Sequence, residues 1–298
     1  MRRALQGAAR FAVLLAAMLV GSCTALTHFD DLAFDDDPCP PPPPGGCTGG
    51  STLVLVGRSL LLNRADAEGR RDGFDLDATS EAICGEPDLV APDGSPGIDT
   101  NLSPIFEAYE DLTNVDLEAM SRERSLRGES LGLVILEHVD AGTDDDCIAV
   151  TQRTGVFPVG ALPTDMDADG DGLLDPGLTF DYLPSTGRST SACVIDGVIH
   201  ARFPSQETLV PGTTIEARTN GPRLRMPLPV DGAPTRMLLG GSISIDDLTG
   251  AFPAAVIDYL RQHADVHPSS RSADDCSEIS FALFVETVPA VLGSLRTP

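Results

Sequence analysis

From Leu131 onward the chain breaks into short runs rich in Val, Ile, Leu and Thr, separated by Asp-Gly, Pro-Gly and Asn-Gly. The runs are Leu131 to Val139, Ile148 to Thr151, Leu178 to Leu183, Val194 to Phe203, Ile215 to Arg218, Leu224 to Val230 and Met237 to Ile245. Branched side chains favour extended backbone, and glycine beside Asp, Asn or Pro supplies a reversal, so the pattern predicts strands joined by turns. Alternation in Ile199-His200-Ala201-Arg202-Phe203 and in Ile243-Ser244-Ile245 gives such strands one core face and one wet face. Thr52 to Val56 reads as a first strand. Ser103 and Pro104 offer an N-cap and a first-turn proline ahead of Ile105, Phe106, Tyr109 and Leu112, which recur at helical spacing. A second helical stretch follows from Asp116 to Leu126, and a third is expected from Pro253, with Phe252, Val256, Tyr259 and Leu260 on one stripe. Glu278 to Val291 is apolar but broken by Pro289, and its pattern fits helix and strand equally. The predicted fold is mainly β with helical insertions: an antiparallel β-sandwich or jelly-roll-like single domain over residues 51–298.

What precedes that domain reads as an address. Arg2, Arg3 and Arg10 flank or precede an apolar run from Phe11 to Val20, the charged region and short hydrophobic region of an export signal. A membrane-spanning helix needs roughly 20 apolar residues, which this run does not reach. Val20-Gly21-Ser22-Cys23 resembles the lipobox of bacterial lipoproteins, which implies cleavage of residues 1–22 and lipidation of Cys23. Two or more acyl chains anchor a protein stably, so the expected location is the cell envelope, with the lipid as the link to the membrane. Thr24 follows the cysteine where aspartate marks inner-membrane retention, which favours the outer membrane. Residues 23–50 carry five aspartates between Asp30 and Asp37, then five prolines from Pro40 to Pro44, and are expected to form a disordered tether.

The composition removes whole classes of function. With the signal gone, 17 arginines stand against 45 acidic residues, a formal charge of −28. Such a field repels nucleic acid, whose binding needs clustered positive charge. All 20 basic residues are arginine, so lysine Schiff-base chemistry and the phosphate-binding lysine loop have no residue to use. With Cys23 lipidated, Cys39, Cys47, Cys84, Cys147, Cys193 and Cys276 remain, an even set that in an oxidising compartment predicts disulfides with 15 possible connectivities. Cys39 and Cys47 are close in sequence, but a polyproline II run of five residues extends about 15 Å and the return steps recover at most about 11 Å. The gap of roughly 5 Å reaches disulfide range only with a hairpin-sharp turn at the glycines, so the two are expected to find other partners in most molecules, with at least one bridge between residues in the range Cys84 to Cys276.

Three patterns bear on chemistry. Gly128-Glu129-Ser130-Leu131-Gly132 matches the nucleophile elbow of serine hydrolases, but that elbow needs a strand before the serine and a helix after it, and the reverse order is expected here. His263 and His267 are four apart, with no glutamate of the zincin motif and with Pro268 ending the turn, so a favourable charge at a helix C-terminus explains them. The third pattern is Asp165, Asp167, Asp169, Asp171 and Asp175, interleaved with Gly170 and Gly172. Aspartates at every second residue around tight glycine turns point carboxylates inward, as the hard, oxygen-seeking Ca²⁺ ion requires. Read from Asp167, the run resembles the calcium loop of thrombospondin type 3 repeats. Position 12 of an EF-hand counted from Asp165 is Pro176, not glutamate.

Asp72-Gly73-Phe74-Asp75-Leu76-Asp77 and Pro92-Asp93-Gly94-Ser95-Pro96-Gly97-Ile98-Asp99, with Cys84 between them, resemble a family of uncharacterised secreted lipoproteins of predatory and soil deltaproteobacteria. The likeness continues through Asp146-Cys147, Thr179-Phe180-Asp181 and Gly240-Gly241-Ser242-Ile243; Ala78 replaces a glycine and Thr100 is inserted before Asn101. The resemblance implies a surface lipoprotein and carries no activity with it. The function expected from all of this is a calcium-stabilised structural or binding module. The alternatives are a secreted hydrolase on a jelly-roll scaffold and a carbohydrate-binding domain, the latter disfavoured by the lack of tryptophan and by only three tyrosines: Tyr109, Tyr182 and Tyr259.

Overall fold

The computed structural model describes residues 38–76, 84, 88–129, 131–140, 142–184, 187–209, 216–229, 233–249, 254–266 and 276–296. The signal segment, Cys23, the first part of the tether, Asp77, Ser130, Phe252, Pro253 and His267 lie outside these residues. The strands are β1 (Ser51–Leu61), β2 (Leu89–Val90), β3 (Pro96–Ile98), β4 (Leu131–Val139), β5 (Ala149–Val156), β6 (Thr179–Tyr182), β7 (Gly187–Arg188), β8 (Ser191–Ile195), β9 (Val198–Arg202), β10 (Gln206–Leu209), β11 (Glu216–Pro227), β12 (Thr235–Ser244), β13 (Glu278–Pro289) and β14 (Val291–Leu295). The helices are α1 (Leu102–Thr113), α2 (Leu117–Leu126) and α3 (Ala254–Gln262). The protein is mainly β and sandwich-like, as the turn-punctuated pattern predicts.

Twelve strands form one sheet in the order β14-β6-β5-β4-β1-β13-β12-β11-β9-β8, with β10 on β11 and β7 on β5. Every pairing in it is antiparallel except β14 with β6. The sheet curls until its β8 end meets the β5 side. Only Ser189 and Thr190 separate β7, which pairs with β5, from β8, which pairs with β9. An isolated bridge joins Asp145 to Val194 across the same seam. Inside the curl, Leu55, Val134, Leu136 and Val150 of one wall pack against Val194, Ile199, Leu224, Met226 and Met237 of the other. Two further clusters lie elsewhere on the sheet. Helices α1, α2 and α3 bury Phe106, Leu117, Ile257 and Leu260 against Leu60, Ile279 and Leu283, while Met166, Leu174 and Phe180 cover Val56, Leu133 and Val288.

Local signals locate most elements, and the departures have tertiary causes. The run Val194 to Phe203, read as one strand, is a hairpin: Asp196 and Gly197 take φ of 50° and 74°, the two successive positive values of a type I′ turn. Asn220-Gly221, read as a turn between two strands, lies inside β11 as a bulge. There one neighbour of β11 changes from β10 to β9, and Pro222, which has no N–H to donate, sits at the interruption. Tyr259, expected on the core stripe of α3, is 45% exposed, while Ile257 and Leu260 fill the core.

Helix α1 starts at Leu102 with Asn101 as N-cap, ahead of the expected cap at Ser103. The reason lies in β13, whose β1 partner ends at Leu61, opposite Phe284. Below that point the free edge of β13 is filled by other groups. Asn101 N–H donates to Ser280 Oγ at 2.8 Å, Ser103 Oγ donates to the Ala282 carbonyl at 3.1 Å, and Ser280 N–H donates to Asp265 Oδ1 at 2.8 Å. The Ser280 hydroxyl also contacts Asp265 Oδ2. Glu278, buried two residues before Ser280, engages Ser242 and the Asn220 amide.

All three disulfides join distant segments: Cys39–Cys193, Cys47–Cys147 and Cys84–Cys276. Cys39 and Cys47 thus take different partners, as their reach predicts, and the Cys84 bridge lies within the expected range. The pairings move one boundary, because residues 39–50, placed in the tether by composition, are bonded to the domain.

Burial raises the Asp265 carboxyl to about 7, against the hydrogen bonds from Ser280, which favour the ionised form. A carboxyl raised in the folded state stabilises fully below its ordinary value of 3.8, and that contribution is lost as pH rises towards 7. Asp265→Asn keeps the shape and removes the titration. The melting temperature of wild type minus that of the variant is therefore expected to fall between pH 4 and pH 7, measured by thermal melts. A difference that stays flat across that range contradicts the assignment.

Candidate functional site

The aspartate run lies between β5 and β6, and two of its apolar residues fix it to the sheet. Met166 and Leu174 are 4% and 0% exposed and pack into the cluster around Phe180. Between them the chain closes on itself, with Asp175 N–H donating to the Met166 carbonyl at 2.9 Å. Just beyond, Gly177 N–H donates to the Pro289 carbonyl at 2.7 Å, tying the base of the loop to the end of β13. A short polar loop is thereby held at both ends by buried side chains and main-chain bonds.

Within the loop the five aspartates take two roles. Asp167, Asp169 and Asp171 converge, each offering a carboxylate oxygen within 4.8 Å of the others. Asp165 and Asp175 act as braces: Asp165 Oδ2 accepts from Leu162 N–H at 2.8 Å, and Asp175 Oδ2 accepts from Ala168 N–H at 2.7 Å. Each converging aspartate uses one oxygen locally. Asp167 Oδ2 accepts from Gly172 N–H at 3.2 Å, Asp169 Oδ1 from Asp171 N–H at 3.0 Å, and Asp171 Oδ1 from Leu173 N–H at 2.8 Å. Gly170 and Gly172 take φ of 76° and 81°, which glycine adopts without a Cβ penalty and which folds the carboxylates to one side.

The donor set fits a hard divalent cation. Ca²⁺ takes six to eight oxygen ligands in flexible geometry, which three carboxylates could supply in part, with carbonyls and water completing the shell. The second oxygen of Asp167, Oδ1, is buried and has no hydrogen-bond partner among the described residues. A buried carboxylate oxygen without a donor is costly unless a cation or water meets it. Asp169 and Asp171 are exposed, so the cluster faces solvent on its outer side.

The segments Asp72–Leu76 and Pro92–Asp99 come together on the sheet. Phe74 and Asp99 form a bridge, with Asp99 N–H donating to the Phe74 carbonyl at 3.0 Å and Leu76 N–H donating to Asp99 Oδ2 at 2.6 Å. The Phe74 ring lies over Gly240 of β12, and the Arg225 guanidinium stands 5.8 Å from the ring centroid while pairing with Asp72 at 3.2 Å. Phe74-Asp99, Gly240 and the Asn101–Ser280 contact thus form one buttress on the sheet. For Asp72, Asp99 and Asn101 the observed work is structural, and Gly240 is required by the close approach of the ring.

The other patterns stand apart from these places. Helix α2 precedes the Gly128 turn and β4 follows it, the reverse of the strand-turn-helix order of a nucleophile elbow. His263 packs its ring 4.4 Å from that of Tyr259 at the end of α3. Tyr182 lies under the Arg153 guanidinium at 4.9 Å. The buried pair Asp265 and Glu278 has no sequence signature, since neither sits in a motif and only the end of β1 brings them to one edge.

A Cβ added at Gly240 meets Phe74 Cδ2 at 2.5 Å and the Phe281 carbonyl oxygen at 3.0 Å. Gly240→Ala is therefore expected to destabilise by about 1–3 kcal/mol through overpacking. Combined with Phe74→Ala, it should cost less than the sum of the two single changes, because the ring it strikes is gone. Denaturant melts of the four-membered cycle measure the coupling, and strict additivity contradicts the contact.

Comparison with protein-family models, curated proteins and solved structures finds no match to this chain.

Proposed function

We propose that the protein is an envelope lipoprotein, held by lipid on Cys23, whose exported domain is a structural or binding module stabilised by Ca²⁺ at Asp167, Asp169 and Asp171. The observation that carries the calcium reading is the convergence of these three carboxylates, together with Asp167 Oδ1, which is buried with no hydrogen-bond partner among the described residues. When the loop is empty the three charges repel one another, and a divalent cation replaces that repulsion with short oxygen contacts. Long-range disulfides fit the same reading, since such bonds persist in oxidising compartments. Among the described residues no helix is long and apolar enough to cross a membrane.

The role assigned to the ion is structural. The loop's apolar flanks, Met166 and Leu174, belong to the core, so an ion that fixes the loop also fixes the cover over Phe180 and Val288. The second reading is a hydrolase on this β scaffold, and the helix-turn-strand order around Gly128–Gly132 does not favour it.

Extracellular modules bind calcium with Kd on the order of 10⁻⁴ to 10⁻³ M, so about 1 mM calcium should add roughly 0.4 to 1.4 kcal/mol, a shift of a few degrees. Asp169→Asn with Asp171→Asn should abolish that shift. If wild type melts identically with calcium and with chelator, and titration calorimetry detects no binding at millimolar calcium, the loop is not a calcium site. For the anchor, Cys23→Ser should move the protein from the membrane fraction to the soluble fraction of an expressing bacterium. Unchanged membrane partitioning rules the lipid out.

A further inference from the structure

The seam where the sheet closes is short of ladder bonds. Across it, Asp145 N–H donates to the Val194 carbonyl at 3.0 Å and Val194 N–H returns a bond to the Asp145 carbonyl at 2.8 Å. Gly197 N–H reaches the Thr143 carbonyl at 2.7 Å, Asp196 N–H reaches Asp144 Oδ1 at 3.0 Å, and Ser189 N–H reaches the Val150 carbonyl at 2.8 Å. No continuous register runs between β5 and β8, in contrast to the ten residue pairs of the β12–β13 ladder.

Two disulfides reinforce this place from outside. Cys193 lies on β8, next to Val194. Cys147 lies two residues after Asp145, on the opposite side of the seam, where its N–H donates to Asp145 Oδ1 at 2.9 Å. Their partners, Cys39 and Cys47, are the two ends of the proline segment, whose residues 40–46 are all exposed. The segment turns at the glycines, with Gly46 N–H donating to the Pro43 carbonyl at 2.9 Å. The chain from Cys39 to Cys47 therefore crosses the seam and is bonded on each side of it.

The two bonds differ in access. Cys39 and Cys193 are 6% and 0% exposed, whereas Cys47 and Cys147 are both partly exposed. Thiol–disulfide exchange requires a thiolate to approach one sulfur of the pair, so access ranks the two.

We propose that residues 39–47 are a covalent strap that keeps the sheet closed, and that Cys47–Cys147 is its release point, opened by a dithiol. One thiolate of the dithiol bonds to a sulfur of the pair, and the other cysteine leaves with the electron pair. The second thiol of the reductant then displaces the first, closing its own cyclic disulfide. Two electrons and two protons pass from the dithiol to Cys47 and Cys147. The strap is then bonded only through Cys39–Cys193, and the seam is left to its few hydrogen bonds.

The test uses the full chain, titrated with dithiothreitol under native conditions, with disulfide mapping and amide hydrogen exchange followed together. Cys47–Cys147 should open before Cys39–Cys193, and as it opens the amides of Asp145, Val194 and Gly197 should exchange about tenfold faster or more, while those of the β12–β13 ladder hold. A Cys47→Ser, Cys147→Ser variant should show the faster seam exchange without reductant, whereas Cys84→Ser with Cys276→Ser should leave the seam unchanged. Earlier opening of Cys39–Cys193, or unchanged seam exchange once Cys47–Cys147 is reduced, overturns the proposal. The reductant titration decides the matter even if the serine variants fail to fold.

Discussion

The pairing of β1 with β13 is the interaction on which the remaining architecture depends. It sets Leu55 opposite Pro289 and Leu61 opposite Phe284, joining the two ends of the domain in the middle of its sheet. On one side β1 carries β4, and on the other β13 carries β12, so neither half of the sheet has a centre until the last strands are present. Such non-local closure has a high entropic cost before its contacts form, which makes folding slow compared with helical domains of similar size. The disulfides follow the same logic. They span 154, 100 and 192 residues, so they record a topology already assembled and then hold it.

Where β1 stops, the physical problem becomes one of unsatisfied backbone. A central strand with a bare edge leaves buried donors and acceptors unpaired, and the protein answers with side chains rather than another strand. Asn101, Ser103 and Asp265 take up the groups of β13 between Ser280 and Ala282, which draws the start of α1 onto the sheet. This solution places a carboxyl in the interior, so its charge state is bound to the folded state. It also explains why the segments around Phe74 and Asp99, Gly240 and Ser280 form one buttress although they are far apart in the chain.

The aspartate loop shows the reverse relation between local and global order. Its carboxylates are arranged by bonds to neighbours two to five residues away, while its position depends on Met166 and Leu174 reaching a core built from β1, β4, β6 and β13. An acidic loop on a chain of net charge −25 is electrostatically unfavourable, and Asp167 Oδ1 is buried with no hydrogen-bond partner among the described residues. Calcium, in the reading proposed above, would act on stability through this loop rather than through chemistry.

What the sequence by itself determined is what short-range physics controls. Period-two alternation and turn residues located β4 and β12 to within two residues, the helical stretch read from Asp116 to Leu126 matches α2, and spacing alone placed Asp167, Asp169 and Asp171 on one side of a loop. The reach of a proline run disfavoured a Cys39–Cys47 bond for the same reason, since chain stiffness is local. Only the tertiary structure decided which cysteines pair, that Asn220-Gly221 is a bulge and not a turn, that residues 39–50 belong to the domain, and that Asp265 is buried. Each of these depends on partners outside the local segment or on a strand whose neighbour changes along its length. Such pairings are chosen by the summed burial and hydrogen bonding of the whole sheet, and no local window of residues contains that sum.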